Sequence, residues 1–469
     1  MLHIEHKSKK PIYQQIYEQL KQDILEGKIP VGTRITSTRA LAKELNIGRN
    51  TVENSYAQLA LEGYITSKAG SGYVVNNTQF DLDQSVTKRV TMNKVPMAAS
   101  GHKTQNIRYS FQYGSLDAAS FPYKLWRQCM TEVLDGQHAQ KVHREGDVQG
   151  DRDLRIQLMK YLYLSRGVNC KPEQIIICSG TQSALEILIR LFPYGEKKVA
   201  LEEPCYNGVS VIFQRNEFEI LSIPVHEDGI GLTELVTSPA RIVYIAPSHQ
   251  FPMGAVMPIH KRMEMLRWAQ EYDNLIIEDD YDSEFRYNGR PIPALQSIDR
   301  YERVVYVGTF SKALSPGLRM AYMILPTWLL SAYQERFIGY QCTVPLIEQK
   351  ILARFMADGH WEKHVRRLCL SQKKKHDILI HAIHQNMGSK VRIYGHQAGL
   401  HILLEFLDGQ QEDELIRKAL ECKIKVCAAS PFWLNKRNYK NNALILGYGM
   451  ISETDIPKAV EILSRAWFS

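Results

Sequence analysis

The chain has 469 residues, of which 44% are hydrophobic and 23% charged, and it carries a formal net charge of +8. That length calls for more than one domain, and the composition excludes a disordered or collagen-like chain. No apolar run approaches the ~20 residues needed to cross a bilayer, and the opening MLHIEHKSKKPIY lacks the apolar stretch of a signal peptide, so a cytoplasmic protein is expected.

The charge is unevenly placed. Residues 1–78 hold ten Lys/Arg against seven Asp/Glu, and residues 79–110 hold five against two, which leaves only about +2 for the rest. A basic front on a nearly neutral body suits a polyanionic partner at the N-terminus. The eight cysteines include no C-x-x-C pair and are expected to be reduced. His360 and His364 lie one helical turn apart in HWEKH but lack the glutamate of H-E-x-x-H and a third ligand, so no metal is expected.

In chain order, Ile12, Ile16, Leu20 and Ile24 recur every four residues and predict a helix over 12–26. After the Gly/Pro-punctuated EGKIPVGTRI, STRALAKEL reads as a second helix, with Ser37 or Thr38 as its cap. A short turn, NIG, leads to a third helix with Val52, Tyr56 and Leu59 as its buried stripe. EGYITSKAGSGYVV then predicts a two-stranded hairpin around Gly70. Two short helices on a tight turn followed by a hairpin make a winged helix-turn-helix, whose third helix enters the major groove by its N-terminal end. Arg49 and Asn50 stand there to read base edges, and Thr51 to hold a phosphate. Ser37, Thr38 and Arg39 at the start of the second helix, with Lys68 and Gly70 at the wing, are expected at the DNA backbone. Residues 11–75, PIYQQIYEQLKQDILEGKIPVGTRITSTRALAKELNIGRNTVENSYAQLALEGYI and on through the hairpin, resemble the DNA-binding domain of the GntR family of bacterial regulators.

From about 77 to 107 the pattern dissolves and a tether is expected, which sets the domains at 1–76 and 108–469. Beyond it, apolar runs at 198–201, 241–247, 274–280 and 303–309 alternate with helical stretches, predicting a parallel sheet covered on both faces. Ligands of such sheets gather at the carboxyl ends of the strands, where the polar residues of interest fall. In IIICSGTQSALEIL, Gly180, Thr181 and Gln182 open a helix and offer backbone N–H groups to a phosphate. Asp279 and Tyr281 follow an apolar strand, and Thr309, Ser311, Lys312 and Arg319 follow another.

Together these match the needs of pyridoxal 5'-phosphate (PLP). Lys312 supplies the amine for a Schiff base, and Asp279 an acid for the ring nitrogen. Tyr281 offers a hydroxyl for the phenolic oxygen, while Gly180, Thr181, Thr309, Ser311 and Arg319 hold the phosphate. Through GDVQGDRDLR, SGTQSAL, EEPCY, APSHQFPMG, EDDYDSEFRY, GTFSKALSPGLR and LGYG, residues 108–469 resemble fold-type I aminotransferases, most closely those fused to GntR domains in MocR/GabR-type regulators. The resemblance implies an α/β transferase fold with a smaller C-terminal α+β subdomain, behind a mostly α reader. It further implies that Tyr206 stacks on the ring, and that the protein is a head-to-tail homodimer with each DNA-binding domain reaching across to the partner. Two positions depart from the pattern. Phe251 stands where many relatives carry an asparagine to the phenolic oxygen, leaving Tyr281, with His249, to serve. Ile445 or a neighbour stands where amino-acid-handling relatives place an arginine, with Lys436 or Arg437 as replacements.

The expected function is a PLP-dependent transcriptional regulator that senses an amine-bearing effector, or PLP itself, through Lys312 and binds double-stranded operators with repeated half-sites. The alternative is a working aminotransferase with a regulatory or tethering N-terminal domain.

Overall fold

The computed structural model describes residues 2–5, 10–68, 72–77, 106–114, 116–135, 146–192, 195, 197–287 and 292–468. Gly70 and nearly all of the expected tether lie outside the described residues. The chain divides into two compact units, residues 1–103 and 104–469.

In the first unit, α1 (Ile12–Leu25), α2 (Thr38–Glu44) and α3 (Arg49–Leu61) precede a hairpin of β1 (Ile65–Lys68) and β2 (Gly72–Val75). The four-residue spacing brings Ile16, Leu20 and Ile24 of α1 against Val52, Tyr56 and Leu59 of α3, and all six are buried. Each such side chain contributes roughly 1.5–3 kcal/mol by leaving water. Ser37 caps α2, its hydroxyl oxygen accepting the Ala40 N–H at 3.2 Å. Two buried hydroxyls then fix α3: Ser55 Oγ donates to the Tyr13 carbonyl and Tyr56 Oη to the Thr36 carbonyl, each at 2.7 Å. The segment before α2 lies along the hairpin, with the Ile35 N–H on the Tyr73 carbonyl and the Val75 N–H on the Thr33 carbonyl.

The second unit opens with β3 (Tyr109–Ser110). Its large sheet holds β4 (Ile175–Cys178), β5 (Lys198–Glu203), β6 (Glu219–His226), β7 (Gly229–Ile230), β8 (Ile242–Ile245), β9 (Leu275–Asp280), β10 (Val304–Thr309) and β11 (Ala321–Ile324), in the order β4-β11-β10-β9-β8-β5-β6-β7. Strands β8, β9 and β10 are buried along their whole length, as β-branched runs covered on both faces must be. The sheet is not wholly parallel, however. β11 runs antiparallel between β4 and β10, because residues 310–320 are too few for a parallel crossover, which takes about a dozen or more.

Four short strands form a second sheet: β12 (Val391–Tyr394), β13 (His401–Phe406), then, past β14 (Ile424–Lys425), β15 (Cys427–Ala428) and β16 (Ala443–Gly447), in the order β12-β13-β16-β15. β14 instead pairs with β3 in parallel. The long helix His360–Met387 and the C-terminal helix Ile456–Phe468 cover this sheet around a core that includes Phe406, Leu415 and Trp467. No helix among the described residues is long and apolar enough to cross a membrane, and all eight cysteines are free.

Candidate functional site

A cavity of about 210 Å³ opens at the carboxyl ends of β4, β5, β8, β9 and β10. Its lining includes Gly180, Thr181, Gln182, Tyr206, Asp279, Tyr281, Thr309, Ser311, Lys312 and Arg319, all offered by the sequence for a cofactor. These positions span 140 residues of sequence, and the sheet brings them together because each ends or follows a strand.

One end of the cavity is cationic. Helix Thr181–Ile189 begins there without a side-chain cap, so its first N–H groups remain available to an anion. Arg319 reaches the same turn and its Nη2 donates to the Ser179 carbonyl at 3.4 Å. The approach is close enough that a Cβ on Gly180 would stand 2.6 Å from Nη2, and Gly180 has φ +102° besides. Only glycine leaves this seat open. Thr309 Oγ1 accepts the Ser311 N–H at 3.1 Å and turns that loop toward the same end.

The other end is acidic. Asp279 Oδ2 accepts a hydrogen bond from Tyr244, on the neighbouring strand β8. Its Oδ1 is buried with no partner among the described residues. Burial raises this carboxyl to about 7, against the opposing pull of Tyr244. Lys312 Nζ stands 3.9 Å from the centre of the Tyr113 ring. Burial lowers its amine to about 8, the acids Asp282 and Asp279 opposing the shift. Glu202, at the end of β5, is a second buried acid in the lining, raised by burial to about 8. Such a site holds an amine that gives up its proton more readily than an ordinary lysine and a buried acid with an oxygen to spare.

Sequence reasoning missed Tyr113, Tyr244 and Glu202. Tyr244 carried a signal, since a tyrosine inside a buried apolar strand needs an acceptor for its hydroxyl. Phe251 is buried and stacks on Tyr113 with ring centres 5.1 Å apart. His249 does not line the cavity but meets Tyr281 from behind. Ile445 is buried in an apolar cluster with Tyr281 and Phe251. Lys436 and Arg437 stay outside the cavity, and Lys436 Nζ donates to the Ser430 carbonyl. His364 turns to the Ala313 carbonyl, whereas His360 lies beside Cys129 and Asp358.

In the first unit, Arg39, Arg49 and Asn50 are exposed at the starts of α2 and α3, and Thr38 and Thr51 are half-buried beside them. Arg49 Nε pairs with Glu53 across one turn at 2.7 Å. Exposed Ser37 spends its oxygen on the cap. Lys68 ends β1 opposite Gly72. Arg34 was overlooked: exposed, its guanidinium lies against Gly72 of the wing.

The cavity fits PLP on this geometry, since it pairs an amine and an unpartnered acid oxygen with an uncapped helix start beside a guanidinium. Residues 116–440 match the family described as aminotransferase class I and II, and residues 12–75 match bacterial regulatory proteins of the gntR family. Over 457 residues the chain is 39% identical to the uncharacterized HTH-type transcriptional regulator YdeL of Bacillus subtilis (strain 168), covering 97% of each chain. It is 29% identical to the probable rhizopine catabolism regulatory protein MocR of Rhizobium meliloti, covering 100% of this chain and 96% of the relative. Among solved structures it resembles the Pyrococcus horikoshii kynurenine aminotransferase, with 25% identity, a TM-score of 0.70, and coverage of 81% of this chain and 97% of that one. Two matched domains and full-length similarity lead to one conclusion: the chain belongs to the MocR-type transcriptional regulators, in which a GntR-type DNA-binding domain is joined to a PLP-dependent, aminotransferase-like domain.

Proposed function

We propose that residues 108–469 sense an amine-bearing effector, or PLP itself, and that residues 1–76 report it on DNA through a tether at 77–107. One observation carries the reading. The depressed amine of Lys312 and the spare oxygen of Asp279 face one cavity in a chain that also bears a DNA-binding domain.

PLP, when bound, supplies an aldehyde that takes up primary amines and a ring that draws electrons from them. Lys312 Nζ would hold that aldehyde. Asp279 Oδ1 would keep a proton on the ring nitrogen by placing a negative charge beside it. Tyr281 would donate to the phenolic oxygen, and Tyr206 would cover the ring. The N–H groups of Gly180, Thr181 and Gln182, the hydroxyls of Thr309 and Ser311, and the Arg319 guanidinium would hold the phosphate. With an effector amine in the cavity, Lys312 Nζ would take up or give up a proton beside Tyr113, Asp279 and Asp282, and the changed charge would be the signal. It biases a head-to-tail homodimer, each reader crossing to its partner, between arrangements that differ by the ~1–3 kcal/mol typical of coupled sites. On DNA, Arg49 and Asn50 read base edges, while Ser37, Thr38, Arg39, Thr51, Lys68 and Gly70 sit at phosphates. Two readers per dimer select operators with repeated half-sites. The protein acts in the cytoplasm.

A screen of small primary amines for changes in the bound cofactor's absorbance, repeated on Lys312→Ala, tests this reading. Wild-type protein is expected to respond to at least one amine, and to bind operator DNA differently when it does. Lys312→Ala is expected to lose the absorbance response while still binding DNA. An unchanged DNA affinity across all responding amines overturns the sensor. The depressed amine of Lys312 also suits a working aminotransferase. Sustained turnover of an amino donor with an oxo acid would establish that second reading.

A further inference from the structure

Directly behind Tyr281 lies a buried pair that the roles above leave unused. His249 follows β8 and Asp282 follows Tyr281, and they are 3% and 2% exposed. His249 Nδ1 stands 2.9 Å from Asp282 Oδ2, 3.1 Å from Oδ1 and 3.1 Å from the Tyr281 hydroxyl oxygen. A carboxylate only accepts, so the proton between these two residues sits on Nδ1. The other ring nitrogen, Nε2, is buried with no partner among the described residues. A proton there would be an orphan donor, which is the costlier way to leave a buried group unsatisfied. Both arguments select the same tautomer.

The tautomer has a consequence for Tyr281. An Nδ1 that carries a proton has no lone pair for the tyrosine hydroxyl, which can therefore accept from His249 but not donate to it. Its own O–H is turned away from His249, toward the cavity that Tyr281 lines. The ring of His249 packs directly against two glycines. A Cβ on Gly399, which has φ +82°, would stand 2.2 Å from His249 Cε1 and 2.8 Å from Asp282 Oδ2, and one on Gly254 would stand 3.2 Å from Nε2.

We infer that Asp282 and His249 are positioning residues that fix Tyr281 as a hydrogen-bond donor into the cofactor cavity. Phe251 fills the position where relatives use an asparagine, and His249 and Asp282 act through Tyr281 rather than by touching the cofactor. This rests on the reading of Tyr281 as the partner of the phenolic oxygen. The titratable groups that face Tyr281 and His249 are Asp279, Asp282, Glu202, Tyr113 and His401, with Lys312 beyond His401.

The test is a pH titration of the cofactor's absorbance in the loaded full-length protein. Tyr281→Phe removes a donor to the phenolic oxygen and is expected to raise the midpoint by about one pH unit. Asp282→Asn lets its amide donate to Nδ1, and Tyr281 then loses its fixed direction. His249→Leu removes the N–H that the Tyr281 hydroxyl accepts, and Tyr281 again loses its fixed direction. Both are expected to raise the midpoint by about half the Tyr281→Phe shift or more. His249→Asn, which restores an N–H near Nδ1, is expected to stay within about a fifth of a unit of wild type. Wild-type midpoints in Asp282→Asn and His249→Leu, with Tyr281→Phe shifted, overturn this inference. An unshifted Tyr281→Phe overturns the earlier reading of Tyr281 instead. Where a variant does not fold or load, ring-15N histidine NMR of wild-type protein decides the matter. Protonated Nδ1 on His249 supports the inference, and a proton on Nε2 alone overturns it.

Discussion

Two neighbouring residues on β9 have opposite fates. Asp279 faces the cavity, with one oxygen on Tyr244 and the other without a partner. Asp280 points to the opposite side, as alternation along a strand requires. There Arg166 Nε meets it at 2.7 Å and Tyr306 donates to it as well, while Arg166 Nη2 donates on to Ser248 at 2.6 Å. Both acids are buried, but Asp280 is met by a buried guanidinium and Asp279 is not. A buried acid that the fold pairs with a cation serves stability; one left with a buried oxygen unpartnered is held for something the fold does not contain.

Substitutions can break that contrast. Asp280→Ala strands the Arg166 guanidinium and is expected to cost ~3–5 kcal/mol in urea unfolding of the cofactor-free protein. Asp279→Asn is expected to leave that stability within about 1 kcal/mol of wild type at about pH 4, where the wild-type carboxyl is also neutral, while weakening cofactor retention, read by absorbance after gel filtration. The pH dependence separates them further. The Asp279 carboxyl is raised in the fold and binds its proton more tightly than in the unfolded chain. Its stabilising contribution is complete below the unfolded value of about 4 and is lost as pH rises through about 7. Asp279→Asn should flatten that slope.

The comparison extends to the DNA-reading unit, where exposed charges carry no such debt. Arg49→Ala is expected to weaken specific DNA binding by ~1–3 kcal/mol with the cofactor absorbance unchanged. At the cavity, Lys312 is lowered to about 8, so its neutral fraction grows as pH approaches that value from below. Cofactor uptake is expected to accelerate by about tenfold per pH unit up to about 8 and then to level, where an ordinary lysine would keep gaining to about 10.4. Stopped-flow absorbance measures it. The smallest effect belongs to Ser37→Ala, where loss of the α2 cap is expected to cost about 1 kcal/mol in thermal unfolding of the protein.

The first unit was legible because its order is local. Ile16, Leu20 and Ile24 repeat within one helix and meet Val52, Tyr56 and Leu59 of another, so periodicity alone draws the core. In the second unit the residues with unusual chemistry at strand ends could be read, since a lysine, an acid and an arginine there have few bland uses. Those that could not be read take their meaning from distant neighbours. Tyr113 lies in an unpatterned stretch and becomes part of the cavity only by meeting Lys312 and Phe251. Strand β6 escaped notice because its residues are mostly exposed or half-buried and include Pro224, so it shows no apolar run. The direction of β11 depends on the length of the turn before it, which an apolar pattern does not encode.

The meeting of Arg319 and Gly180 also governs how this chain can change. The guanidinium is the far end of a flexible side chain and can give way, but the positive φ of Gly180 strains any other residue there whatever the neighbour does. Mutagenesis that explores new ligands should therefore keep the glycine and vary position 319.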